Sequence, residues 1–307
     1  MRIYLHIGYH KTATKTLQEH VFYKLNQVQY LGRSRNLDVQ CTKIHRELVS
    51  LICECTHKEY LLKLEPFQEK LNNYLGANEK AKLVSNELIL GDGQSFMGGE
   101  VLLSERISRI KEIFHNHDIY ILLTTRKQPS AIYSLYVQKK PYLPNTTRRF
   151  SDFCADEKLL SLYDYMKVYK TLEEHFPQKV KLVDFEEIVN GSGLKDIIEY
   201  LGANEGCSWK LPNTNTKEKN SLGVVTGKYN IRKIIYGTLG NGVVSSIKNN
   251  ERLLKILTPV WRKIANKTLV KDVIPNMTKD EENHILEIYK NSNQELFSKF
   301  GINYIKN

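Results

Sequence analysis

A chain of 307 residues, 41% hydrophobic, 10% aromatic and 26% charged, carries enough apolar mass for a sizeable core, which excludes the disordered, collagenous and disulfide-scaffold classes. Its 45 Lys+Arg against 34 Asp+Glu leave a formal net charge of +11 that favours an anionic ligand. The basic residues are spread along the chain without a helix-turn-helix, zinc-finger or aromatic RNA-binding signature, so nucleic acid is not an expected partner.

The opening MRIYLHIG has too short an apolar run for an export signal or a membrane span, and the expectation is a cytoplasmic protein. Arg2 to Ile7 reads as a buried strand with Ile3, Leu5 and Ile7 on one face. It runs into Gly8-Tyr9-His10-Lys11-Thr12-Ala13-Thr14 and then a helix whose stripe is Leu17, Val21 and Leu25. Helices are predicted at about 43 to 56 and 58 to 75, the second ending at Gly76. Cys53, Cys55 and His57 lie between them but are too few to close a structural zinc site, so no metal is expected. All five cysteines, Cys41, Cys53, Cys55, Cys154 and Cys207, read as reduced thiols.

Ala81 to Ser85 reads as a second short strand, followed by Asn86-Glu87 and the turn Gly91-Asp92-Gly93. A helix from about Glu100 to His115 leads to the clearest strand, Asp118 to Thr125, which meets Arg126-Lys127-Gln128-Pro129 and another helix. Leu159 to Phe176 reads as helix, Lys179 to Asp184 as strand and Leu194 to Leu201 as helix. Strands alternating with helices predict an α/β fold with a parallel sheet. Residues 1–307 read as one domain, with about 225–307 as its helical extension. Ligands of such sheets sit at the carboxyl ends of the strands, and the segments beginning at Gly8, Ser85 and Arg126 all leave such ends, so one crevice is expected to gather them.

A strand, a Gly turn and a Thr-rich helix start make an anion cradle, because the first helical N–H groups are unpaired and the helix dipole is positive there. The nucleotide-triphosphatase loop G-x-x-x-x-G-K-[ST] does not fit in register, since Ala13 and Thr14 follow where Gly and Lys would stand. Instead Lys11 lies inside the turn, ahead of Thr12, Thr14 and Thr16.

HIGYHKTATKTLQ resembles the 5′-phosphosulfate loop of sulfotransferases that use 3′-phosphoadenosine 5′-phosphosulfate (PAPS), h-x-G-x-x-K-[ST]-G-T-[ST]-x-L-Q, matching at Lys11, Thr12, Thr14, Leu17 and Gln18. Ala13 stands where that family has Gly, and Lys15 where it has a hydroxyl residue. Alanine adds a methyl at a close backbone approach, and Lys15 exchanges a hydroxyl for positive charge. Over a hundred residues on, Arg126-x-x-Pro129-x-x-x-x-Ser134-x-Tyr136 is similar to the family's 3′-phosphate motif, in which Arg offers planar paired donors to a dianion and Ser adds a hydroxyl.

LVSNELIL, residues 83–90, is similar to the S-x-E segment of bacterial and glycan-modifying members and makes Glu87 a general-base candidate. His10 competes for that role on intrinsic pKa, while His6 reads as structural. Residues 213–220, NTNTKEKN, resemble the loop that closes over the adenosine end, with Lys217 and Lys219 supplying charge. Phe185-Glu186 reads as scaffold.

The resemblance implies a P-loop NTPase-like parallel sheet flanked by helices, PAPS as donor, adenosine 3′,5′-bisphosphate (PAP) as product and no metal. The implied cofactor-binding set is Gly8, Lys11, Thr12, Ala13, Thr14, Lys15, Thr16, Arg126, Ser134, Lys217 and Lys219, with Lys11 and Glu87 or His10 catalytic. The implied acceptor is a carbohydrate hydroxyl, as in a bacterial surface polysaccharide or glycolipid. Tyr133, Tyr136, Lys139, Lys140, Tyr142, Arg148 and Arg149 could line its path or be an ordinary amphipathic helix and loop, and the basic stretch 231–273 implies at most peripheral membrane contact. Two other readings stay open: a P-loop-type kinase needing Mg²⁺, and a non-catalytic module that binds anionic glycans.

Overall fold

The computed structural model describes residues 1–9, 11–32, 39–76, 80–90, 101–140, 149–203, 219–220, 223–230 and 268–305. Five strands, β1 (Arg2–His6), β2 (Val28–Leu31), β3 (Ala81–Ser85), β4 (Asp118–Thr125) and β5 (Val180–Asp184), form a parallel sheet in the order β2-β3-β1-β4-β5. The helices on it are α1 (Thr14–His20), α2 (Val39–Cys53), α3 (His57–Leu75), α4 (Leu103–Ile113), α5 (Gln128–Lys139), α6 (Phe150–Phe153), α7 (Glu157–Leu162), α8 (Tyr165–His175), α9 (Phe185–Asn190) and α10 (Ser192–Tyr200). This is the parallel sheet flanked by helices that the alternation predicts.

Both faces of the sheet are covered, so its strands are apolar on both sides. Ile3 and Leu5 of β1 join Ile121 and Leu123 of β4 in one core with Leu48 of α2, Ile110 of α4, Leu135 of α5 and Leu172 of α8. Tyr4 and Leu122 point the other way, to Leu17 of α1 and Leu194, Ile197 and Ile198 of α10. Each such aliphatic side chain contributes roughly 1.5–3 kcal/mol by leaving water.

The predicted helix through Leu25 is shorter than its stripe. α1 ends at His20, a 3-10 turn covers Phe22–Lys24, and β2 follows as a strand the periodicity did not reveal. Leu17, Val21 and Leu25 still share one core, because the tighter turn carries Leu25 onto the same face. The predicted helix from Leu159 to Phe176 is broken between α7 and α8, where Asp164 caps Lys167 N at 3.1 Å and starts a new helix.

The expectation of a helical stretch over 225–307 is corrected. β6 (Lys219–Asn220), β7 (Gly223–Asn230) and β8 (Thr268–Pro275) form an antiparallel sheet, consistent with the β-branched Val224, Val225 and Thr226 and with Thr268, Val270, Val273 and Ile274. Only α11 (Lys279–Ile288) and α12 (Lys290–Phe300) are helices among the described residues there.

β1 lies at the centre, with β3 on one side and β4 on the other, pairing His6 with Ser85 and with Leu122. The chain runs to one side of β1 through β2 and β3 and to the other through β4 and β5. Its order therefore reverses at β1, where the carboxyl ends of a parallel sheet open a crevice.

Candidate functional site

The turn after β1 is built around a crowded glycine. Ile7 N and Tyr9 N donate to Leu122 O and Thr124 O at 3.0 and 3.3 Å, continuing the ladder past the strand end. A Cβ on Gly8 would lie 2.3 Å from Thr124 Oγ1, 2.7 Å from Thr14 Oγ1 and 3.0 Å from the His6 ring. Glycine is thus required by the protein's own hydroxyls. The backbone then passes through left-handed conformations at Lys11 (φ 71) and Ala13 (φ 62), each unfavourable by roughly 1–2 kcal/mol for an L-residue. The Gly that the resembled motif places at position 13 is explained by this φ, and Ala13 carries it as strain.

Beneath the turn a buried polar chain sets the proton positions. The Thr12 hydroxyl donates to Tyr9 O at 2.6 Å, so its contact with Thr124 Oγ1 at 2.8 Å has Thr124 as donor. Thr124 Oγ1 then accepts from His6 Nε2 at 3.2 Å, which leaves His6 Nδ1 to accept from Ser85 Oγ at 2.7 Å. Ser85 Oγ accepts in turn from Gln18 Nε2 at 3.0 Å, and Ser85 O from Gln18 at 3.1 Å. His6 is fully buried and burial lowers its pKa to about 3, so the ring is neutral and structural, as read from the strand.

In this chain of contacts the Thr12 hydroxyl is turned inward and already bonded. Thr14 Oγ1 is buried without a partner among the described residues, and Thr16 is buried. Lys15 points outward, 68% exposed and 3.8 Å from Glu19 on the same helix. The i,i+4 spacing to Glu19 draws it onto the solvent face of α1.

Arg126 leaves β4 and turns toward the first corner. Its Nη1 donates to Lys11 O at 3.2 Å, across 115 positions of sequence. The guanidinium lies 4.4 Å from the ring centroid of Phe185, its Nε is buried without a partner among the described residues, and the Arg126 carbonyl accepts from the Tyr165 hydroxyl at 2.5 Å. Burial lowers the Arg126 pKa against the opposing pull of Glu186, Tyr165, Asp184 and Tyr304, and the group stays charged. Ser134 is half-buried, two turns along α5 on the same partly exposed stripe as Ser130, after the Pro129 that starts the helix.

Glu87 leaves β3 half-buried beside Asn86, whose Oδ1 accepts from Leu88 N at 2.8 Å and folds the chain back across it. His45 Nε2 contacts Ser85 O at 3.2 Å, a buried brace under the same turn. Lys11 feels all three corners. Burial lowers its pKa first and the Arg126 charge second, while Glu87 raises it and Lys15 lowers it. Lys11, Arg126 and Glu87 thus lie close enough to act on one another, near a guanidinium nitrogen and a buried hydroxyl that have no partner among the described residues, a donor set suited to a polyanion.

His10 and Lys217 lie outside the described residues, as do Gly91-Asp92-Gly93, Tyr142 and Arg148; Lys219 is described only as part of β6. Tyr136 is buried core, and the half-buried Tyr133 donates to Pro275 O at 2.7 Å, so these two belong to the helix packing. Cys41, Cys53, Cys55 and Cys154 are buried thiols. Among the described residues no three His, Cys, Asp or Glu are grouped to hold a metal, and no helix is long and apolar enough to cross a membrane.

Sequence reasoning missed the aromatic surroundings of Arg126: Phe185, which it assigned to scaffold, together with Tyr165 and Tyr304. The available signal was that Asp184-Phe185, like the three corners, leaves the carboxyl end of a parallel strand.

The chain is similar to the crystal structure of a sulfotransferase from Alicyclobacillus acidocaldarius, at 12% identity over 84% of this chain and 98% of that one, with a TM-score of 0.45. No family model matches the chain. No curated protein matches it either.

Proposed function

We propose that this chain is a PAPS-dependent sulfotransferase whose acceptor is a carbohydrate hydroxyl. The observation that carries the reading is the hydrogen bond from Arg126 Nη1 to Lys11 O, which joins the two segments resembling the family's 5′-phosphosulfate and 3′-phosphate motifs. Donor capacity fits as well. Among the described residues the buried Nε of Arg126 and the buried hydroxyl of Thr14 have no partner.

In this reading Lys11 faces the oxygen that bridges sulfur and phosphorus, and the amides of the Lys11–Thr14 turn with the Thr14 hydroxyl hold the 5′ end. Arg126 and Ser134 hold the 3′-phosphate. Glu87 takes the acceptor proton as the acceptor oxygen bonds to sulfur and the bridging S–O bond breaks, with PAP leaving. Catalysis is then positioning and charge neutralisation, by analogy with phosphoryl transfer. Lys11 suits this role because burial and Arg126 make its charge less well solvated, so negative charge developing beside it is strongly welcomed.

The test is transfer of radiolabel from PAPS to cell-envelope extracts by the wild type and by Lys11→Ala. The wild type is expected to label a glycan fraction, and Lys11→Ala to do so about 10²–10³-fold more slowly with an unchanged melting temperature. Labelling at the wild-type rate by Lys11→Ala would remove Lys11 from the chemistry.

A further inference from the structure

Beyond α12 the chain turns at Gly301 (φ 73) and sends Ile302 and Tyr304 inward, 5% and 3% exposed. The Tyr304 hydroxyl donates to Asp184 Oδ1. Its single proton is used there, so at 2.9 Å it accepts from Thr125 Oγ1. Each of these two contacts leads toward Arg126. Thr125 is the residue before it in the chain. Asp184 Oδ2 accepts from Glu186 N at 3.2 Å and caps α9, whose first residue, Phe185, lies against the guanidinium.

A third route runs through the rings. Tyr304 meets Tyr165 edge-on at 6.0 Å between centroids, and the Tyr165 hydroxyl holds the Arg126 carbonyl. Burial, then the Asp184 charge, keep the Tyr304 phenol protonated well above its ordinary range, so it remains a donor.

We infer that Tyr304 is a positioning residue for Arg126, fixing through Thr125, Asp184 and Tyr165 the guanidinium geometry that selects a nucleotide bearing a 3′-phosphate. The inference rests on the sulfotransferase reading, which assigns that phosphate to Arg126. Among the described residues Tyr304 makes no hydrogen bond to Arg126 and acts only through groups that hold it from the strand, the helix cap and the ring. Ordinary core packing would need the ring of Tyr304 and not its hydroxyl, and this difference makes the role testable.

Tyr304→Phe keeps the ring and deletes the hydroxyl. The full chain is titrated calorimetrically with PAP and with AMP, which lacks the 3′-phosphate, and its melting temperature is recorded. PAP affinity is expected to fall about three- to tenfold, the net worth of one hydrogen bond. AMP affinity should stay within about twofold, as for a distant independent site. The preference for PAP over AMP therefore narrows.

A lowered melting temperature with the wild-type preference intact would overturn the inference and make Tyr304 a packing residue. Should Tyr304→Phe fail to fold, Thr125→Val removes the hydroxyl partner on the β4 side, and the same narrowing is expected; an unchanged preference there overturns the inference equally. A wild type that does not prefer PAP to AMP refutes the assignment of Arg126, and Tyr304 falls with it. That outcome is told apart because it appears before any substitution is made.

Discussion

At the β1 corner the chain is held by hydroxyls and by backbone strain: Thr12, Thr124, His6, Ser85 and Gln18 form one buried relay, and Lys11 and Ala13 stand at positive φ above it. At the β4 corner Arg126 has ordinary backbone surroundings and is held by aromatic side chains, Phe185 at its guanidinium and Tyr165 at its carbonyl. The first corner presents a loop whose shape is set by what lies beneath it. The second presents a side chain whose aim is set by what lies around it. The two corners, joined by the bond from Arg126 to Lys11 O, thus combine two kinds of preorganisation, and each fails in its own way.

The largest expected effect comes from acid. His6 is neutral in the folded state, with its pKa lowered to about 3, and free in the unfolded chain near 6.5. The unfolded state therefore binds the extra proton first. This contribution to stability is complete above about pH 6.5 and is lost as pH falls from there toward 3, by up to about 1.4 kcal/mol per unit. Denaturant midpoints from pH 7 to 4 measure it. His6→Gln should flatten the slope, and an unchanged slope would show that another group carries the acid sensitivity.

A smaller contrast lies within the turn itself. Gly8→Ala forces a methyl onto Thr124 Oγ1 and should destabilise by about 1–3 kcal/mol. Ala13→Gly relieves a positive φ and should stabilise by about 0.5–1 kcal/mol after the unfolded chain's added freedom is offset. Chemical denaturation of the two variants reads both signs. If Ala13→Gly destabilises, the strain assigned to the turn is not there.

The two corners also differed in how far they could be read beforehand. β1, β3 and β4 were legible because each is a short apolar run broken by Gly or polar residues, and their carboxyl-end motifs follow within a few positions. That set Lys11, Glu87 and Arg126 at the ends of neighbouring strands, where Arg126 bonds Lys11 O. The direction of Thr12 was not legible, since a loop has no fixed side-chain period and only the tertiary partners Thr124 and His6 turn it inward. The outward aim of Lys15 was not legible either, since the motif comparison took no account of Glu19 at i+4.

β2 escaped because four residues after a 3-10 turn carry too little periodicity to separate from the end of a helix. The aromatic surround of Arg126 was hidden for a different reason. Tyr165, Phe185 and Tyr304 lie 39, 59 and 178 positions from Arg126, and each looks like an ordinary core residue until the sheet brings them together.

The central claim is that two strand-to-helix corners grip opposite ends of one nucleotide, and it is tested most directly by calorimetric binding of PAP and AMP to the wild type, Lys11→Ala and Arg126→Ala. The account predicts that Lys11→Ala weakens both ligands, since it faces the 5′ end they share. Arg126→Ala should weaken PAP by about tenfold or more while leaving AMP nearly unchanged. Equal losses of both ligands in Arg126→Ala, or a wild type that binds neither, would contradict it.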